Sequence, residues 1–238
     1  MLLNLKIILI SGTPGTGKTS LVEYLTKIEK WYSFNLGEFV LKNNLYIKED
    51  IERNTKIIDT KLVAIKGVIE LYKIFNSSKN NNLNQCIILV DSHYSDIIIE
   101  GLKYLEDNEI KLNSEELSEI LVNFIHNIKI KSNFLGIILR CEPFELQNRL
   151  LKKGYNQNKI KENIESEILG QCTYSMVEVL DRDNVFEIDT SKKKIDEVAN
   201  IIKEIIKGNS EILEKYRIGN INWLREIGKS SKYDRFIL

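Results

Sequence analysis

The sequence predicts a three-layer α/β fold in which about five parallel strands alternate with helices. Two observations carry that expectation. Continuous apolar runs such as Leu5-Lys6-Ile7-Ile8-Leu9-Ile10 and Cys86-Ile87-Ile88-Leu89-Val90 read as strands covered on both faces. Between the first run and the helical stretch that follows it lies Gly12-Thr13-Pro14-Gly15-Thr16-Gly17-Lys18-Thr19. This segment matches the pattern G-x-x-x-x-G-K-[ST] in full, in the strand, loop and helix context that the pattern requires.

Composition bounds the rest. A chain of 238 residues, 43% hydrophobic, can bury one substantial core and is not globally disordered. No 18-residue apolar run predicts a membrane span. Lys plus Arg equals Asp plus Glu at 34 each, so the overall charge does not mark a nucleic-acid binder. The opening Met1-Leu2-Leu3-Asn4-Leu5-Lys6 shows no charged leader, signal core or cleavage site, and a cytoplasmic location is expected. Cys86, Cys141 and Cys172 are widely spaced and form neither a disulfide framework nor a zinc pattern. Buried free thiols are expected.

In chain order, residues 18–30 read as the first helix, 33–36 as a short strand or extended approach, and 39–45 as a short helix. A charged region begins at Asp50. A further helix runs to about Phe75, with Leu62, Ile65, Ile69, Tyr72 and Ile74 among its apolar members. The asparagine-rich stretch 76–84 reads as a surface loop. The next apolar run ends in Asp91, at the carboxyl end of a central strand, where doubly wound sheets bind ligands. Residues 95–107 and 114–131 read as two helices joined by a polar turn, the second with a weak capping signal at Ser114 and a surface or packing histidine, His126. Residues 134–140 form the next strand, and Pro143 opens a helix to Lys152. Gly154-Tyr155-Asn156 breaks that helix, and a long helix is expected over 158–180. A last strand at 184–188 precedes the helix 195–207, ended by Gly208.

The division expected is a core over 1–208 and a basic, aromatic extension over 209–238. Within the core, 37–75 is expected to hold two helices between the first two core strands, as a monophosphate-binding region would need, 95–131 is a helical connection and 149–163 a lid. The extension sets Trp223 and Tyr233 among Arg217, Arg225, Lys229, Lys232 and Arg235. It reads either as a tail docking on protein or RNA, or as a helix folded back on the core through Trp223, Leu224 and Ile227.

The loop carries the chemistry. Gly12, Gly15 and Gly17 leave backbone N–H groups free to close around phosphate oxygens, and the helix N-terminus adds a favourable field. With Pro14, Thr16 and Ser20 they make the expected ATP-contacting set, Lys18 reaching the terminal phosphates and Thr19 holding Mg²⁺. Asp91 is the second expected Mg²⁺-linked residue. His93, two residues beyond, reads as a group that positions water or stabilises its loop. Arg140, Arg149, Lys152 and Lys153 flank the Gly-Tyr-Asn string, where cations on a segment hinged near Gly154 would offset charge during phosphoryl transfer. Lys153 reads equally as a complement to the helix dipole.

These pieces together resemble the adenylate-kinase-like ATPase family of small ribosomal subunit biogenesis, which includes the coilin-interacting nuclear ATPase and its archaeal and yeast relatives. The matching residues are the opening Met1-Leu2-Leu3, the loop, Leu36-Gly37-Glu38, Leu45-Tyr46, Asp59 before Leu62, Asp91-Ser92-His93, Leu139-Arg140, Arg149-Leu150 and Gly154-Tyr155-Asn156 with Lys159, Asn163 and Glu167. The resemblance spans about residues 1–207 apart from one insertion. It implies a P-loop nucleoside monophosphate kinase-like fold with a short lid and adenylate kinase activity, ATP plus AMP to two ADP, alongside ATPase activity. It implies that Lys18 and Thr19 bind the triphosphate and Mg²⁺, that Asp91 and His93 support hydrolysis or transfer, and that Arg149 contacts the donor nucleotide at the lid base. Lys153 is expected beside them as a catalytic cation on the residues' own chemistry. The resemblance further implies the monophosphate role of 37–75, with residues 37–59 accepting a nucleoside monophosphate, and marks 95–131 as enlarged. It also implies a platform protein of the small ribosomal subunit as partner, and contact with rRNA through the tail is a further expectation. The chain departs from the family at Lys153, where arginine is usual, and at Glu38-Phe39-Val40-Leu41, where Asp-Leu-Ala-Arg is usual. The second departure leaves open a ribosome-assembly ATPase with little kinase activity, or a kinase for another small phosphate acceptor.

Overall fold

The computed structural model describes residues 4–50, 55–79, 85–108 and 119–228. Five parallel strands form the central sheet: β1 (Asn4–Ser11), β2 (Tyr32–Asn35), β5 (Gln85–Asp91), β6 (Phe134–Arg140) and β7 (Val185–Asp189), in the order β2-β5-β1-β6-β7. The expected three-layer α/β fold is the fold observed.

The two-residue period of a strand explains the layers. Leu5, Ile7 and Leu9 of β1, with Cys86, Ile88 and Val90 of β5, face one hydrophobic core. Ile8 and Ile10, with Ile87 and Leu89, face the other. Both faces are apolar because helices cover both. On the first side lie α3 (Thr60–Ser78), α4 (Ile97–Asn108) and α5 (Glu119–Asn127), while α1 (Lys18–Glu29) and α10 (Ile195–Lys207) lie on the second. The extra helices between β5 and β6 thicken the first core: Phe124 packs 5.3 Å from Phe75 and 5.4 Å from Tyr72 between ring centroids. Leu121, Ile125 and Ile128 are buried with it, whereas His126 is exposed. The short helix α6 (Ile130–Asn133) then leads into β6.

Several expectations need correction. Helix α2 is Leu36–Lys42, starting earlier than expected because Asn35 caps it by accepting from Glu38 N at 2.9 Å. An antiparallel pair of strands, β3 (Tyr46–Asp50) and β4 (Thr55–Ile58), stands where the sequence predicts no strand, only a charged region from Asp50 passing into the next helix. Helix α3 runs on to Ser78, and its deepest face is Val63, Ala64, Val68, Leu71 and Phe75 rather than the face through Leu62 and Ile65. The helix expected over 158–180 is two: α8 (Gln157–Leu169) and α9 (Gln171–Val179), divided at Gly170 with φ of 66°. Left-handed backbone favours glycine, and it ends α8 there. Cys86 and Cys141 are buried free thiols, but Cys172 is only half-buried. Ser114 and Leu117 lie outside the described residues, as do 80–84 of the polar loop.

Beyond Gly208, α11 (Ser210–Lys215) and α12 (Trp223–Gly228) return to the core. Trp223 and Ile227 are buried, and Leu224 is 56% exposed, so the folded-back helix uses two of its three expected anchors. Lys229, Lys232, Tyr233 and Arg235 lie outside the described residues. Among the described residues, no helix is long and apolar enough to cross a membrane.

Candidate active site

The phosphate-binding loop leaves the carboxyl end of β1, the central strand, and leads straight into α1. Gly12, at φ 139°, passes so close to the carbonyl of Leu139 that a Cβ there would overlap it. The loop is thus seated on the neighbouring strand as well as on its own. Gly17 precedes α1 with φ of 102° and no side-chain cap, which leaves the first N–H groups of α1 open. Lys18 Nζ folds back over the loop, donating to Gly12 O at 2.6 Å and Thr13 O at 3.2 Å. Burial lowers its pKa, opposed by the charges of Asp91 and Glu167 among others.

Thr19 Oγ1 donates to Asp91 Oδ2 at 2.9 Å, joining the start of α1 to the end of β5. Asn35 Nδ2 approaches the same oxygen at 3.4 Å, so the residue that caps α2 also faces the site. Burial raises the pKa of Asp91, while the Thr19 hydroxyl and Lys18 act against that rise. His93 opens onto the cleft beside Tyr94, with 3.5 Å between ring centroids. His93 keeps an exposed edge on the cleft, and its partial desolvation there, with the positive charges of Lys18 and Lys159, lowers its pKa to about 4. At neutral pH it is an uncharged imidazole that can accept one hydrogen bond.

The Gly-Tyr-Asn string has a local explanation. Gly154, at φ 76°, follows the end of α7 (Pro143–Lys152), and Asn156 caps α8 by accepting from Lys159 N at 2.8 Å. Tyr155 packs against Cys141, Leu146, Leu150, Ile160 and Ile164, a small core belonging to this helical pair. Helices α7 and α8 therefore form a packed hairpin with its own interior.

Among the described residues, two clefts lie beside the loop. One, of about 380 Å³, is lined by Gly15, Thr16, Gly17, Ser20, Arg149, Lys152, Lys153, Thr190 and Lys193 together with apolar Leu21, Leu139, Ile195 and Val198. The other, of about 570 Å³, is lined by Thr13, Pro14, His93, Tyr94, Cys172 and the hairpin residues from Lys153 to Ser166 that face it. Lys153 lines both. Arg149 is fixed in the first cleft by Glu145 Oε1 at 2.9 Å and Thr190 O at 3.0 Å.

Arg140 has a different place from the one its sequence position implied. It is 4% exposed, donates through Nε to Glu167 Oε1 at 2.7 Å and pairs with Glu187, so it belongs to a buried ion network rather than to a moving cationic segment. Glu167 also accepts from Thr13 Oγ1 at 2.7 Å. Thr190 Oγ1 donates to Thr16 O at 2.9 Å. Neither Glu167 nor Thr190 is among the site residues expected to act in transfer. The available signal for Thr190 is its place just after β7, at the carboxyl edge of the sheet.

A family model described as AAA domain matches residues 8–170. A protein of Methanosarcina barkeri provisionally named an adenylate kinase is 32% identical over 219 residues, covering 90% of this chain and 96% of that protein. One of Saccharolobus solfataricus, named in the same way, is 27% identical and covers 97% and 92%. Among solved structures, thymidylate kinase from Candida albicans is similar with a TM-score of 0.44 at 17% identity, over 88% of this chain and 94% of that one. The match over the phosphate-binding loop, the acidic strand end and the helical hairpin places this kinase-like P-loop enzyme in the AAA-domain family: the chain belongs to it as an adenylate-kinase-like member.

Proposed function

We propose that the chain is an ATP-dependent nucleoside monophosphate kinase, converting ATP and AMP to two ADP, with ATPase activity when water replaces the acceptor. The observation that supports this most is Lys153, a cation shared by the two clefts that flank one phosphate-binding loop. The smaller cleft, with apolar walls and four cationic side chains, fits a nucleoside triphosphate whose phosphates enter the loop. The larger cleft fits the acceptor.

In the transfer, an acceptor phosphate oxygen bonds to the γ-phosphorus of ATP while the bond from that phosphorus to the β,γ-bridging oxygen breaks, and ADP departs. Phosphoryl transfer asks chiefly for positioning and charge stabilisation, with no protein nucleophile. Lys18 exchanges its loop carbonyl partners for phosphate oxygens, and Lys153 offsets charge on the transferring group. Arg149, already held by Glu145 and Thr190, borders the donor without having to be ordered on binding. The hydroxyl of Thr19 and the carboxylate of Asp91 are hard oxygen donors in mutual contact, a pair suited to Mg²⁺, which keeps several waters and takes its other ligands from phosphates. Bound there, Mg²⁺ would supply positive charge to the β- and γ-phosphate oxygens. In hydrolysis, neutral His93 accepts a hydrogen bond from the attacking water and orients it.

A second reading is an ATPase switch in assembly of the small ribosomal subunit, acting with a platform protein and with little kinase activity. It is favoured by the acceptor side: Leu41, where the family often has arginine, is 51% exposed on α2, and no arginine occurs among the described residues of 36–78. In this reading the extension is the natural place for rRNA contact, although Trp223 itself is buried and turned inward. Measuring ADP and inorganic phosphate with Mg²⁺-ATP, with and without AMP, separates the readings. The kinase predicts ADP in excess of phosphate only when AMP is present. Equal amounts under both conditions would leave hydrolysis alone.

A further inference from the structure

The C-terminal extension touches a buried carboxylate that holds the phosphate-binding loop from behind. Trp223 Nε1 donates to Glu167 Oε1 at 2.9 Å, in an interior setting where Trp223 is 9% exposed and Glu167 2%. Through its other oxygen, Glu167 accepts from Thr13 Oγ1 at 2.7 Å, and Oε1 also takes Arg140 Nε and, at 3.2 Å, Cys141 N. One buried carboxylate therefore joins the loop, the end of β6, the last turns of α8 and the start of α12.

The second carboxylate beside Arg140 is tied to the extension as well. Glu187 Oε2 accepts from Gly219 N at 2.9 Å, and Glu187 N donates to Tyr216 O at 2.8 Å. The extension thus bonds both acids of the buried pair around Arg140, and Glu167 of that pair reaches the loop through Thr13. A buried ion set of this kind holds its geometry only while each polar group keeps its partner.

We propose that Trp223 is a positioning residue for the phosphate-binding loop, acting through Glu167, and that a nucleoside triphosphate in the loop is registered at Trp223. The inference rests on the triphosphate site proposed above but on neither acceptor. Its physical basis is Lys18, which bonds the carbonyls of Gly12 and Thr13 when no phosphate draws it away. When Lys18 turns to a phosphate, Thr13 loses its Lys18 partner, and its hydroxyl bond to Glu167 carries the change to the indole. By linkage, loosening the indole must weaken triphosphate binding by the same factor that binding tightens the indole contact.

The chain has two tryptophans, Trp31 and Trp223, so Trp31→Phe makes emission report Trp223 alone. The full chain carrying that change is titrated with the β,γ-imido analogue of ATP plus Mg²⁺, while calorimetry measures binding independently. The expected result is a saturable change in emission that tracks binding. Adding Thr13→Val, which keeps the side-chain shape and removes the hydroxyl, should abolish at least four-fifths of the emission change at saturating analogue, with Kd raised about three- to tenfold because the same relay is cut. In the otherwise natural chain, Trp223→Phe should raise the analogue's Kd about three- to tenfold, and the KM for ATP with it, with kcat changed less than twofold. A merely structural Trp223 would lower the melting temperature and leave Kd unchanged. Binding with silent emission, an undiminished response in Thr13→Val, or an unchanged Kd in Trp223→Phe overturns the proposal and leaves the triphosphate site standing. Absence of analogue binding in the natural chain overturns both.

Discussion

Lys18, His93 and Asp96 show what single residues contribute and how their charge states test the account. Lys18→Ala removes the loop cation that bonds Gly12 O and Thr13 O, and it should reduce ATP turnover at least a hundredfold, measured as ADP formed, with the thermal midpoint changed by only a few degrees. His93 carries a second test. Its folded pKa, about 4, lies below its ordinary 6.5, so the native state binds fewer protons than the unfolded chain between those values. The contribution of His93 to stability is therefore full above 6.5 and lost as pH falls through about 4. In a His126→Gln background the His93 ring protons should show no titration between pH 8 and 6, and a midpoint near 6.5 would contradict the neutral imidazole assigned here. Asp96 has the opposite sign. Burial, with Glu100 and Glu178 nearby, raises its carboxyl to about 6, so its favourable contribution is present below 3.8 and lost as pH rises through 6. Asp96→Asn should stabilise the protein by about 1 kcal/mol at pH 7.5, in urea unfolding, and give no gain at pH 4.

At the scale of elements, the hairpin of α7 and α8 is the part whose local logic is most open in the sequence. Pro143 starts α7, Gly154 stops it and Asn156 starts α8, each for a reason visible in one residue. Gly154→Ala meets no neighbouring atom but must hold φ at 76°, and should cost about 1 kcal/mol in urea unfolding. The break at Gly170 is less legible. A lone glycine inside continuous apolar periodicity reads as tolerated in a helix, and only the left-handed backbone shows that α8 ends there. Helix α3 misleads for another reason. It is apolar on adjoining faces, so its spacing alone does not tell the fully buried Val63, Val68 and Leu71 from the half-buried Ile65 and Ile69. The β3–β4 hairpin carries Lys48, Glu49 and Lys56 in sequence, none of its described side chains is buried, and without apolar alternation it leaves no strand signal.

The whole molecule joins legible elements through contacts that chain order conceals. The loop motif, the acidic end of β5 and the alternation of strands and helices were all readable, because each is a local pattern with a physical cause. The bond from Thr13 to Glu167 spans 154 positions and that from Thr190 to Thr16 spans 174, and no local pattern announces either. The same holds for the two clefts, which exist only once α7, the loop and the turn after β5 are assembled around β1. Their shared residue, Lys153, carries the claim that donor and acceptor meet at one loop. The most direct measurement follows the γ-phosphoryl group of ATP itself: γ-labelled ATP with Mg²⁺ and unlabelled AMP, with products separated and the label counted in ADP and in inorganic phosphate. The account predicts label in ADP at the outset, dependent on AMP and lost in Lys18→Ala. Label that appears only in inorganic phosphate at every AMP concentration would contradict it.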